Sequence, residues 1–179
     1  MFRACRVAFA ALVVVSLPSI SAAQTAADTR AGIKSMFDVV KGHLTKTADQ
    51  ASDELYGFKP TPEVRSLGQM LGHVANANYM ICSLAAGEKS PATGNAEQLT
   101  SKADIQKALA GSFAYCDTVW TKIEGAKGSE PVEIFGMKHT RASAMALNSA
   151  HDWEHYGNLV TYMRLKGMIP PSSQGGGGE

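Results

Sequence analysis

The sequence has little cysteine, no excess of either charge, no apolar run of membrane-spanning length and no clear strand pattern. Three cysteines in 179 residues, with no CxxC pair, exclude a dithiol redox motif and a c-type haem attachment site. A formal charge of +1 with scattered Lys and Arg leaves no basic patch of the kind that holds nucleic acid or an anionic membrane. The one extended-looking piece, residues 132–135, cannot make a sheet alone. What remains is helix.

The start of the chain reads as a leader. Arg3 and Arg6 precede an apolar run over residues 7–17, then Pro18 and the small residues Ser21-Ala22-Ala23. That is the three-part pattern of a secretory signal peptide with a cut after Ala23. The apolar run is well short of the ~20 residues a membrane-spanning helix needs. The expectation is an exported protein, periplasmic or secreted, with no stable membrane insertion after cleavage. It divides into a leader over 1–23, one domain over 24–171 and a Gly-rich flexible tail over 172–179. Cleavage removes Cys5. Cys82 and Cys116, both on or near apolar helix faces, are read as two small buried thiols.

Four amphipathic segments follow. Ile33, Phe37, Val40, Leu44 and Ala48 recur at helical spacing within residues 28–51. Gly57, Pro60 and Pro62 end that segment. Ser66 to Gln69 fits a capping box, and Leu67, Met70, Leu71, Val74, Ala77, Ile81 and Leu84 then form a buried side that stops at Gly87. A third helix starts near Ser101, with Asp104 at a capping position and a stripe of Ile105, Leu109, Phe113, Cys116, Trp120 and Ile123. The fourth runs from its cap Thr140 to about Lys166, with Ala144, Leu147, His151, His155, Leu159 and Tyr162 on one face. Four such helices pack as an all-α four-helix bundle, and the long connections allow a crossover.

Chemistry concentrates in His151-Asp152-Trp153-Glu154-His155. Residues four apart on a helix share a face, so His151 and His155 can hold one metal ion between them. His73, on the apolar side of the second helix, is a third imidazole donor. Three such donors suit a divalent transition metal (zinc, nickel or iron) and leave a coordination position open. The ion would lower the pKa of bound water to about 7, stabilise a thiolate or polarise a carbonyl. Asn76, Asn148 and Asn158 sit about one turn from these histidines. Tyr79, Trp153, Tyr156 and Tyr162 are read as packing aromatics that could wall a pocket. The pentapeptide also fits H-x-x-E-H, but too little chain follows His155 for that peptidase architecture, and HExxH is absent. Glu154 and Asp152 are therefore read as solvated or outer groups, and His43 and His139 as surface residues.

Beyond the residues themselves, the chain resembles the DinB-like (DinB/YfiT) superfamily. The likeness is carried by Tyr56-Gly57-Phe58-Lys59-Pro60 and its continuation to Ser66, by Leu71-Gly72-His73-Val74-Ala75, and most strongly by residues 151–160 with Tyr162-Met163-Arg164-Leu165-Lys166-Gly167 and Pro170-Pro171-Ser172-Ser173. It implies an up-down-down-up bundle, homodimers, and a divalent metal on the residues corresponding to His73, His151 and His155. It also implies a small-molecule substrate, since some relatives are thiol S-transferases and others hydrolases or isomerases. The leader departs from cytosolic relatives and weighs against thiol transfer, because the low-molecular-weight thiols are mainly cytosolic. The expectation is an exported metal-dependent enzyme of hydrolase or thiol-transferase type, its catalytic residues unassigned. The alternatives are a non-catalytic metal- or ligand-binding bundle and, more weakly, a haem-binding one.

Overall fold

The computed structural model describes residues 22–175. Most of the expected leader and the last four residues of the tail lie outside them. Five helices and one hairpin follow in order: α1 (Ala22–Gln50), α2 (Asp53–Gly57), α3 (Leu67–Ala86), α4 (Lys102–Lys122), β1 (Pro131–Ile134), β2 (Met137–Thr140) and α5 (Arg141–Leu165). No helix among the described residues is long and apolar enough to cross a membrane.

The local signals act as expected at most boundaries. Ser66 and Gln69 form the capping box that opens α3, and Gly87 closes it in the left-handed region at φ 70°, a conformation that costs a glycine little. Ser101 accepts from the Asp104 amide at the start of α4, and Thr140 with Ser143 caps α5. The proline-rich break after α1 holds one further turn, α2. Ser52 caps it, and it buries Leu55 and Tyr56, with the Tyr56 hydroxyl donating to the Ala48 carbonyl. Helix α1 begins earlier than residue 28 because alanines at 22, 23, 26 and 27 extend it without a breaker.

Side-chain contacts fix the direction of each long helix. Lys41 bonds Asp117 while Lys102 reaches the Asp49 carbonyl, so α1 and α4 run antiparallel. His43 stacks on Tyr156 and Thr47 reaches Met163, so α1 and α5 run parallel. Arg141 bonds the Ala85 carbonyl and Tyr162 the Arg65 carbonyl, so α3 and α5 are antiparallel. Asn78 meets Ser112 and Glu88 meets Lys122, both across 34 residues, so α3 and α4 are parallel. The order is up-down-down-up over α1, α3, α4 and α5. Two successive parallel helices require the chain to travel back along the bundle, and residues 87–101 make that crossover.

The core is the four stripes meeting. Phe37, Val40 and Leu44 pack with Leu71, Val74, Leu109, Phe113, Leu159 and Met163, all essentially without solvent contact. Three expectations need correction. First, residues 131–140 form a two-stranded antiparallel hairpin, with Ile134 paired to Met137. The turn is Phe135-Gly136, both with positive φ, and it lacks the Asn-Gly or Asp-Gly signature that would have marked it. Second, Cys82 and Cys116 are not free thiols; they form a disulfide with Cα atoms 5.5 Å apart. The parallel register of α3 and α4 sets residues 34 apart side by side, and these cysteines have that spacing. Third, Asp152 is not solvated. It is fully buried with Asn148 and Ser149, because the inner face of α5 is rotated from the expected stripe and leaves Leu147 and His151 half-buried.

Candidate metal centre

The three histidines selected from sequence come together. His73 projects from the middle of α3, and His151 and His155 from successive turns of α5. Their ring centroids lie 4.3–5.2 Å apart. One ring nitrogen from each falls within 4.8 Å of the other two. His155 is buried, while His73 and His151 are half-buried. The cluster thus sits at the α3–α5 seam, between core and solvent.

Electrostatics hold the α5 pair neutral. Burial first, then the neighbouring imidazoles of His155 and His73, push His151 down to about 4. Burial, then His73 and Arg65, do the same to His155. Their Nε2 atoms face each other at 3.0 Å, so two lone-pair nitrogens share a space that one hydrogen can bridge at most.

The second nitrogen of His73 is committed. Its Nδ1 lies 2.8 Å from Glu97 Oε1. A carboxylate only accepts, so Nδ1 carries the hydrogen and Nε2 presents its lone pair to the cluster. Arg65 Nε donates to the other oxygen of Glu97 at 2.9 Å. Burial alone would raise the Glu97 carboxyl, but the hydrogen bonds and charges of Arg65 and His73 outweigh it and hold the pKa below the usual value. Asn158 Nδ2 lies 3.4 Å from His155 Nδ1, at the long end of hydrogen-bond distance. His151 Nδ1 is buried without a partner. A three-imidazole set with a carboxylate behind one ring fits a divalent transition metal.

Glu97 was not selected from sequence. It comes from a 3-10 turn at Ala96–Gln98 on the crossover, where nothing in the local pattern marks a carboxylate as a histidine partner 24 residues away. Gly72 is the fold's device for bringing it there. A Cβ on Gly72 would overlap the Ala96 carbonyl and come within 2.9 Å of the Glu97 nitrogen. Only a bare helix position lets the crossover lie so close. A glycine inside an otherwise apolar helix, next to a histidine, was the available signal. Asn76 fixes the same strand of chain, bonding Asn95 and the Ala96 amide.

The other nominated residues take structural places. Asn148 donates to Asp152 Oδ2 at 3.4 Å in the core, and burial pushes the Asp152 carboxyl well above the usual range. Glu154 is exposed. His43 is half-buried rather than superficial, stacked on Tyr156 at 4.9 Å, and His139 is half-buried beside Ser143 at the start of α5. Neither joins the cluster. Trp153 bonds the Met36 carbonyl, Tyr156 accepts from the Ser172 amide, and Tyr162 bonds Arg65. Tyr79 lines a separate cleft of about 460 Å³ on the far side of Asn76, between the crossover and α4.

Comparison with known proteins agrees with this architecture. The sequence profile of the DinB superfamily matches residues 36–159, a span that includes His73, Glu97, His151 and His155. Among solved structures, the fold is similar to that of a DinB-like protein from Bacillus cereus ATCC 10987. The two chains are 18% identical with a TM-score of 0.69, and the match covers 79% of this chain and 95% of that one. No curated protein sequence matches.

Proposed function

This chain belongs to the DinB superfamily, and we propose that it is an exported metal-dependent enzyme that acts on a small molecule through a site made by His73, His151 and His155. The observation that carries the reading is the convergence of three ring nitrogens from two helices, with Glu97 already holding the far nitrogen of one. His151 and His155 supply neutral donors without needing to shed protons at pH 7, because burial has done that work. Glu97 holds the His73 proton and fixes that ring's tautomer, and Arg65 holds Glu97. A divalent ion in this set supplies Lewis acidity to an oxygen or sulfur donor of the substrate or of water, which suits hydrolysis or thiol transfer. The leader pattern supports export, and the disulfide is of the kind an oxidising compartment maintains.

Elemental analysis of the purified protein tests the site. Near-stoichiometric zinc, nickel or iron is expected in the wild type, with loss in His151→Ala. Equal metal in both proteins would end the proposal.

One observation favours a second reading, a binding protein without turnover. Glu97, the carboxylate bonded to the cluster, is engaged on both oxygens, Glu154 faces solvent, and Asp152 is buried in the core with Asn148, so none of the three stands as a general base. Metal-dependent thermal stabilisation with no turnover on ester and thiol-acceptor panels would select that reading.

A further inference from the structure

Arg65 stands immediately before the Ser66 cap of α3 and is pinned twice. Its carbonyl accepts the Tyr162 hydroxyl at 3.0 Å, and its Nε donates to Glu97. The guanidinium therefore sits one carboxylate away from His73. Its two terminal nitrogens have no hydrogen-bond partner among the described residues, and the side chain is 41% exposed. Its field reaches His151, His155 and Tyr162.

A charge tally shows what this arrangement lacks. A divalent ion brings two positive charges, Arg65 adds one, and Glu97 removes one. No second carboxylate is bonded into the cluster, and Glu154, whose field opposes the others at His151, stands on the solvent side of α5. The site with its ion is left with a surplus of positive charge and an unpaired edge of guanidinium. The Nη1–Nη2 edge matches the two oxygens of a carboxylate, and such charge-assisted pairs are the strong ones.

We propose that Arg65 anchors the substrate at the histidine site, and that the substrate carries a carboxylate beside the group that meets the metal. This rests on the metal reading above and adds a substrate class to it. Arg65 acts as a binding residue; it moves no proton and takes part in no bond change. Its grip on Glu97 gives the guanidinium a fixed orientation, so an incoming carboxylate orders less side chain on binding.

The test uses cobalt-loaded full-length protein and a matched pair of probes, 3-mercaptopropionate and its neutral amide 3-mercaptopropionamide. Sulfur-to-cobalt absorption reads binding of each without any turnover. The carboxylate probe is expected to bind at least about tenfold more tightly, roughly the effect of one charge-assisted pair. In Arg65→Gln that advantage should vanish; because Arg65 also holds Glu97, cobalt content is measured in the same variant and the readout is the ratio of the two probes' affinities at equal cobalt occupancy. The amide serves as the control for folding and metal loading in the same protein. Equal binding of the two probes to the wild type would overturn the proposal, and so would a preference that survives Arg65→Gln. Wild-type protein that fails to retain cobalt would bring down the metal reading together with this one; cobalt retained without a carboxylate preference would bring down this one alone.

Discussion

Helix α3 has two seams, and they are fastened in different ways. Against α4 it runs parallel, with a disulfide between Cys82 and Cys116 and a buried Asn78–Ser112 bond one turn away. Against α5 it runs antiparallel, and the middle of that contact is three imidazoles, two of them with nitrogens 3.0 Å apart. The first seam is closed by a covalent bond that needs nothing from outside. The second gathers nitrogen donors that an ion would satisfy better than they satisfy one another. One side of α3 is thus closed covalently, and the other carries a donor set that could hold a metal ion.

Substitutions should separate the two seams. The largest effect belongs to the α4 side. A cross-link enclosing 34 residues restricts the unfolded chain by about 4 kcal/mol, so Cys82→Ser/Cys116→Ser should lose stability of that order in urea while keeping its metal. A double variant as stable as the wild type would show that packing alone closes that seam. Next comes Gly72→Ala. The added methyl meets backbone of the crossover rather than a movable side chain, and overpacking of this kind costs about 1–3 kcal/mol. It should also displace Glu97, so metal affinity should fall together with the melting temperature. Unchanged affinity would mean that the crossover does not set the site.

Glu97→Gln is a smaller and more local change. The amide can still accept from His73 Nδ1 but carries no charge, and losing such an outer partner lowers metal affinity by about 10–100-fold. Competition with a chromogenic chelator measures it, and a change below twofold would remove Glu97 from the site.

The acid response of metal-free protein is graded by pH rather than set by one lost contact. The unfolded chain takes up protons on His151 and His155 near their ordinary value of 6.5, whereas the fold resists until about 4. The pair's stabilising contribution is therefore present above pH 6.5 and is lost as pH falls through that window. Asp152 works in the opposite sense, because its raised pKa makes acid the condition that relieves its burial. The difference in melting temperature between wild type and His151→Gln/His155→Gln, followed from pH 7 to 4, isolates the imidazoles and should shrink on acidification. A difference that stays constant would show that they do not resist protonation.

How much of this was legible depended on the range of each signal. His151 and His155 are four apart on one helix, so their common face could be read from spacing. The caps at Ser66 and Thr140 are equally local. Convergence of His73 needed the antiparallel α3–α5 contact, which the family resemblance implied and the fold supplies. Glu97 and Arg65 are a loop carboxylate and a pre-helix cation, with no periodicity to mark either. The disulfide depended on a parallel register that no single helix encodes. The face of α5 was misjudged because Asn148, Ser149 and Asp152 break the apolar pattern where they turn inward, while Leu147 turns toward the edge.

The parallel pairing of α1 and α5 fixes where the polypeptide enters and leaves the bundle. Gln174 is hydrogen-bonded to Gln50 at the far end of α1, and α1 is 29 residues long, so its first turn and the tail stand roughly 40 Å apart, at opposite poles. A label at Gln174 therefore lies about a full helix length from the start of α1 but at the histidine end of the bundle, where the Ser172 amide already donates to Tyr156, the neighbour of His155.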